Sequence, residues 1–406
     1  MSLLPRRTAI VVFLAFAFSY FMTALLRAIT ATLAPVLQDQ FALHARDLGL
    51  LAGGYFLGFA LVQWPVGGWL DRHGPRRVLL ALLGVAVLGC LVFAAADGFA
   101  GLLLGRVLCG VGVGACLMAP LAGFRRWLDP GAQLRANSWL LMTGSLGMVA
   151  ATLPVQWLLP LTGWRALFGG QAALLLLAMG VLALWVPRWP RAPAGAARGG
   201  GGQVWRHASF VRLLPLGFFG YGGMVAMQTL WAAPWMQQVA GYTPLQAAAG
   251  LFWINVSMLC AFGAWGWVSP WLLRRLGGAD PVLAWGQPLA WLALLAIVLL
   301  GPAAGAAAWA LFCVASSSVV LSQPALAQAL PEALAGRVLA AYNLVVYAGV
   351  FAVQWGVGLA VDWCVGAGMG QVAAYRAAMA GYLLCGLGAY AWFLARGRRG
   401  HNAALP

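Results

Sequence analysis

Arg27 stands in "YFMTALLRAITATLAPVLQ" (residues 20–38), an apolar stretch with no acidic residue before Asp39. A second arginine, Arg106, stands in "LLLGRVLCGVGVGACLMAP" (residues 102–120). A charged side chain at the middle of a membrane helix costs about 2.5–3.5 kcal/mol even on translocon-insertion scales, so such a residue is a functional candidate by default. The guanidinium offers coplanar N–H donors that suit a carboxylate or phosphate held by two bonds. The chemistry these two residues suggest is therefore recognition of an anion. The competing reading is snorkelling, with the charged heads reaching the surface toward Asp39, Asp47 or Asp97.

The elements that must position them are membrane helices. Of 406 residues, 63% are hydrophobic and 8% charged, against about 25% charged in a soluble protein. Apolar runs recur that are long enough to cross a hydrocarbon core of about 30 Å, and they are continuous rather than alternating, which excludes a β-barrel. The first run, Ala9 to Leu26, continues too far for a secretory signal and reads as a retained span. Charges, Pro/Gly turns and interfacial Trp divide the chain into twelve spans: 9–38, 47–70, 77–96, 99–127, 136–160, 165–187, 208–239, 244–273, 281–301, 303–329, 334–361 and 372–395. The fold class expected is all-α and polytopic, with twelve transmembrane helices in two six-helix bundles. The bundles are residues 1–187 and 208–406, and the Pro/Gly/Arg-rich stretch 188–207 is a cytoplasmic linker.

The net charge of +16 would suggest nucleic acid in a soluble domain, but here the basic residues, all arginines, lie in short loops and report topology. A cytoplasmic N-terminus places 19 arginines inside and three (Arg46, Arg165, Arg376) outside. By the positive-inside rule both termini are cytoplasmic, in a multi-pass protein of the inner membrane. On the same scheme Arg27 lies 20 residues beyond Arg7 and Arg106 lies 19 residues before Arg125. At about 1.5 Å per residue both sit about 28–30 Å above their cytoplasmic anchors, at one level in the outer half. The seven cysteines form no C-x-x-C pair and the four histidines fall in loops or tails, so neither a metal nor another cofactor is indicated.

At "GGWLDRHGPRRVLL" (residues 67–80) the chain resembles the major facilitator superfamily, whose signature loop joins helices 2 and 3. Gly67, Asp71, Arg72, Gly74, Arg76 and Leu79 match it; Trp69 stands for the usual Leu and Pro75 for a usual basic residue. Physically, Gly67 permits close helix approach, Gly74 a tight turn, and Asp71 a contact with a helix N-terminus and a nearby Arg. The resemblance implies a latch at the cytoplasmic ends of helices 2 and 11, formed by Gly67, Asp71, Arg72, Gly74, Arg76 and Arg77, with Arg337 opposite. Arg106 followed by Gly110, Gly112 and Gly114 is similar to the family's fourth-helix motif. The family fold implies that helices 1, 4, 7 and 10 line a central cavity, which both arginines could face.

The second half offers neutral groups: Tyr221, Gln228 and Trp231 on span 7, Trp253 and Asn255 on span 8, Gln323 on span 10, and Asn343 and Tyr347 on span 11. Aromatic walls and amide hydrogen bonds suit a small organic solute. All eight acidic residues lie at or near span ends, so a proton carrier within the membrane is not evident. Span 5 lacks the Gly-Pro ending of drug/proton antiporters, and spans 2 and 8 lack the arginines expected of nitrate transporters. No P-loop or hydrolase motif appears, which speaks against an enzyme. The expectation is a secondary or facilitative transporter, working as symporter or uniporter and taking up a small organic anion by alternating access. It is a monomer in lipid with no nucleic-acid partner. Substrate contacts fall to Arg27, Arg106, Tyr221, Gln228, Trp231, Trp253, Asn343 and Tyr347. Proton-coupled efflux of amphipathic compounds and a non-transporting receptor are the alternatives.

Overall fold

A computed structural model describes residues 4–187, 201–330 and 334–402. Most of the expected linker lies outside these residues; its last part forms the helix Gly201–Arg206. Every regular element among the described residues is helical.

The helical spans are α1 (Arg6–Phe41), α2 (Ala45–Ala94), α3 (Phe99–Trp127), α4 (Pro130–Ala150), α5 (Leu153–Trp185), α6 (Ala208–Gln238), α7 (Pro244–Leu276), α8 (Ala279–Ala303), α9 (Ala306–Gln328), α10 (Gly336–Gly366) and α11 (Gln371–Gly397). Ten of these are long and apolar enough to cross a membrane. Gly74 divides the 50-residue α2 into two legs, and α4 followed by the start of α5 makes another leg up to Gly163. Twelve legs result.

Two glycines make the reversals. Gly74 has φ 75°, ψ 163° and Gly163 has φ 74°, ψ 161°, a region that side-chain-bearing residues scarcely enter. The "DRHGPRR" segment expected as a loop is thus helical on both sides of a single residue. Pro75 follows at the first position of the next leg, where its missing N–H is not needed.

Local signals set other ends. Asp129 caps α4, its Oδ1 accepting from the Ala132 N–H at 3.0 Å, with Pro130 next. Thr243 and Gln246 form a reciprocal capping box at the start of α7, and Gly277 closes that helix at φ 74°.

The chain folds as two compact units, one of Met1–Leu33 with Gly54–Ala197, the other of Ala34–Gly53 with Arg198–Pro406. In the first, small residues of α3 bring backbones together: a Cβ on Gly110 would meet the Tyr55 carbonyl, and one on Gly112 the backbone of Ala86. In the second, α6 and α10 touch through Gly222 against the Val346 carbonyl and Gly349 against that of Phe218. There α6 winds as π-helix over Leu216–Gly222 and Met227–Trp231, a form frequent at functional sites. Broad apolar side chains such as Trp267 and Trp285 remain exposed, as lipid-facing residues are in a multi-pass membrane protein.

Candidate functional site

In the first unit, α1, α2 and α3 build the surroundings of Arg106. Its side chain is fully buried, and Nη1 donates to the Leu26 carbonyl at 2.7 Å. That carbonyl lies within α1, and its second lone pair serves the arginine. The Tyr55 ring lies 4.9 Å from the guanidinium carbon, at cation–π distance, and the Tyr55 hydroxyl donates to the Thr23 carbonyl at 2.9 Å. Gly110, one turn beyond Arg106, lets α2 come close enough for the ring to reach this position. Among the described residues Nε and Nη2 of Arg106 have no acceptor. Removing one partner of a buried charge typically costs about 3–5 kcal/mol, which shows how expensive an unopposed guanidinium is.

Arg27 follows Leu26 directly, so Arg106 is bonded to α1 one residue away from Arg27. Arg27 is half-buried, and its Nη2 donates to Met148 Sδ of α4 at 3.2 Å. Snorkelling does not describe Arg106, which is nowhere exposed. Two of the acids proposed as its destinations are engaged elsewhere. Asp97 pairs with Arg165 at 3.1 Å, and Asp47 lies 3.5 Å from His44 and 3.7 Å from Arg46.

The second unit brings together some of the expected neutral groups. Tyr221 lies in one π-helical stretch of α6, and Gln228 and Trp231 lie in the other. Gln228 Nε2 donates to Asn255 Oδ1 at 3.0 Å, and Asn343 Oδ1 accepts from Gln323 at 2.8 Å. Trp231 is fully buried with its N–H donated to the Gln354 carbonyl at 3.1 Å, so it ties α6 to α10. Trp253 stands 62% exposed, edge-on to Phe252 at 5.4 Å, whereas Asn255 two positions on is buried. Tyr347 is half-buried on α10.

Of the signature segment, Asp71, Arg72 and Arg77 are exposed, and Gly74 makes the reversal described above. Arg76 is half-buried and donates to the Ala183 carbonyl at the far end of α5, bracing the turn within its own unit. Among the described residues nothing lies within 4 Å of a Cβ built on Gly67, so close approach is not what this glycine provides here.

Tyr55, the Leu26 carbonyl, Thr229 and Gln354 were not anticipated. Gln354 donates to Thr229 Oγ1 at 3.0 Å while its Oε1 is buried without a partner among the described residues. An amide inside the apolar run "VFAVQWGVGLA" is a legible signal. A backbone carbonyl gives none.

The sequence model of the Major Facilitator Superfamily matches residues 16–354. The chain belongs to this superfamily. Similar superfamily proteins include the hexuronate transporter of Bacillus subtilis, 31% identical over 24% of this chain and 23% of its own length. The probable sulfoacetate transporter of Cupriavidus necator is 27% identical over 37% of this chain and 35% of its own. The matches span about a third or less of these curated relatives. The superfamily fold is matched over the whole length by a bacterial homolog to the human lysosomal transporter Spinster, crystallised in an inward-facing and occupied conformation. Its TM-score is 0.78 at 18% identity, covering 97% of each chain.

Proposed function

We propose that this superfamily member is a transporter that takes up a small organic anion by alternating access between the halves 1–187 and 208–406, joined by the linker 188–207. The observation that carries the reading is Arg106: a charged group, fully buried, hydrogen-bonded to the residue beside a second arginine and, among the described residues, without an acid to neutralise it. An anionic substrate supplies the missing charge. The hexuronate and probable sulfoacetate transporters among the relatives carry the names of anions, which supports the same class. The neutral groups Tyr221, Gln228, Asn343 and Tyr347 suit the uncharged body of the substrate. Asp71 with Arg72 and Arg77 forms the cytoplasmic latch of the cycle, braced by Arg76. The positive-inside pattern supports an inner-membrane protein with cytoplasmic termini, working as a monomer. The absence of a Gly-Pro antiporter ending on span 5 favours uptake over efflux.

Ligand-induced thermal stabilisation of the purified protein tests this, with small carboxylates, phosphates, amino acids and cationic drugs as ligands and Arg27→Gln as the variant. One anion class is expected to raise the melting temperature of the wild type and to lose effect in Arg27→Gln. Stabilisation by cationic drugs alone overturns the reading in favour of efflux. Saturable binding without flux in proteoliposomes makes the protein a receptor.

A further inference from the structure

The donors of Arg106 are divided between two tasks, and the division says what kind of anion fits. Nη1 is committed to the Leu26 carbonyl at 2.7 Å. The two nitrogens left without an acceptor among the described residues are Nε and Nη2, and both are buried. They are neighbours on one edge of the guanidinium, where two N–H bonds run parallel in one plane. This edge pairs with the two oxygens of a carboxylate through parallel bonds. The Tyr55 ring lies 4.9 Å from the guanidinium carbon, and its own hydroxyl is bonded to the Thr23 carbonyl.

Resting on the anion reading above, we propose that the Nε/Nη2 edge of Arg106 is the head-group site and that the group it takes is a single planar carboxylate. A carboxylate brings two oxygens to two donors. A sulfonate or phosphate brings a third charged oxygen, and the Tyr55 ring, which presents the negative face of its π-system to the guanidinium, offers that oxygen no donor. A carboxylate also supplies one negative charge for one buried positive charge. The cysteines nearby, Cys90 and Cys109 at 3.7 Å from one another, are thiols that face each other and bring no carboxyl group. Arg27, one residue from the carbonyl that holds Nη1, raises the local positive potential from the same helix.

The test uses the full-length purified protein and its Arg106→Lys variant, which keeps the charge and removes the two-donor edge. The probes are glucuronate, glucose, acetate, methanesulfonate and inorganic phosphate. Glucuronate and glucose differ only in a carboxylate against a hydroxymethyl group. Glucuronate and acetate are expected to stabilise the wild type and glucose is not, and Arg106→Lys is expected to weaken the carboxylate response about tenfold or more, the loss that follows when one of two strong bonds disappears. A carboxylate response equal in wild type and Arg106→Lys overturns the head-group site while leaving the broader anion reading standing. Stabilisation by methanesulfonate or phosphate alone overturns the carboxylate assignment. No response to any anion overturns both. Should Arg106→Lys fail to fold, infrared difference spectra of wild type with carboxyl-13C-labelled glucuronate decide: a carboxylate stretch displaced from its position in water supports the two-bond contact, and an undisplaced stretch overturns it.

Discussion

Asp362 on α10 accepts the backbone N–H of Arg46 at 3.0 Å with one carboxylate oxygen and that of Ala45 at 3.1 Å with the other. These are the first residues of α2, so a helix start is capped by a residue more than three hundred positions away in the chain. Asp47 completes the turn by accepting the His44 N–H at 3.0 Å. Two carboxylates thus satisfy three backbone donors at the positive end of α2. The surrounding seam is glycine-built: a Cβ on Gly358 would meet the Ala45 carbonyl, and one on Gly49 the Gln354 carbonyl.

Replacing Asp362 removes this cap. Asp362→Ala is expected to lower stability by about 0.5–2 kcal/mol, as other cap deletions do, and Asp362→Asn by less because an oxygen remains. Thermal unfolding in detergent measures both. Equal melting temperatures for Asp362→Ala and wild type would show that the contact contributes nothing.

Gly67 and Gly74 belong to one signature yet have opposite requirements. At φ 75°, ψ 163°, Gly74→Ala is expected to cost about 1–3 kcal/mol. Gly67 lies in a helix with nothing within 4 Å of its Cβ among the described residues, so Gly67→Ala is expected to be neutral or to stabilise by up to about 1 kcal/mol. Stability and flux should be measured together for Gly67→Ala. Full stability with lost flux would locate a close contact at Gly67 in another state of the transport cycle.

Tyr55 acts through both its ring and its hydroxyl. Tyr55→Phe removes the bond to Thr23 and is expected to cost about 0.5–1.5 kcal/mol. Tyr55→Leu also removes the aromatic face beneath Arg106 and should lose about 0.5–2 kcal/mol more. Chemical or thermal unfolding of both variants checks the order. A Leu variant as stable as the Phe variant would mean the ring contact has no energetic weight.

Gly110 is the spacer that lets α2 and α3 touch. Any side chain there runs into the Tyr55 carbonyl, and the obstacle is backbone rather than a flexible side chain. Gly110→Val is therefore expected to prevent accumulation of folded protein, whereas Gly180→Ala, with nothing within 4 Å of its Cβ among the described residues, should express normally. Membrane expression followed by size-exclusion chromatography distinguishes the two. A well-folded Gly110→Val protein would mean the helices are free to separate at this point.

Much of the molecule is legible along the chain. Apolar length determines a polytopic helical protein because the hydrocarbon core leaves a backbone few other choices. The reversals at Gly74 and Gly163 follow from residues that alone accept their angles, and the caps at Asp129 and Thr243 follow from local spacing. Counting rise per residue was enough to expect Arg27 and Arg106 at one level. What the sequence could not decide is which donor of Arg106 is already used, because the Leu26 carbonyl that binds it is the same atom in every residue type. Nor could it separate Trp231, whose N–H is consumed by Gln354, from a side chain open to a ligand. The same holds for the cap from Asp362 to α2, which joins residues that only the folding of the chain brings within hydrogen-bond distance. Periodicity and composition determine which segments enter the membrane; the partner of each buried polar group depends on helix packing, and only the tertiary structure decides it.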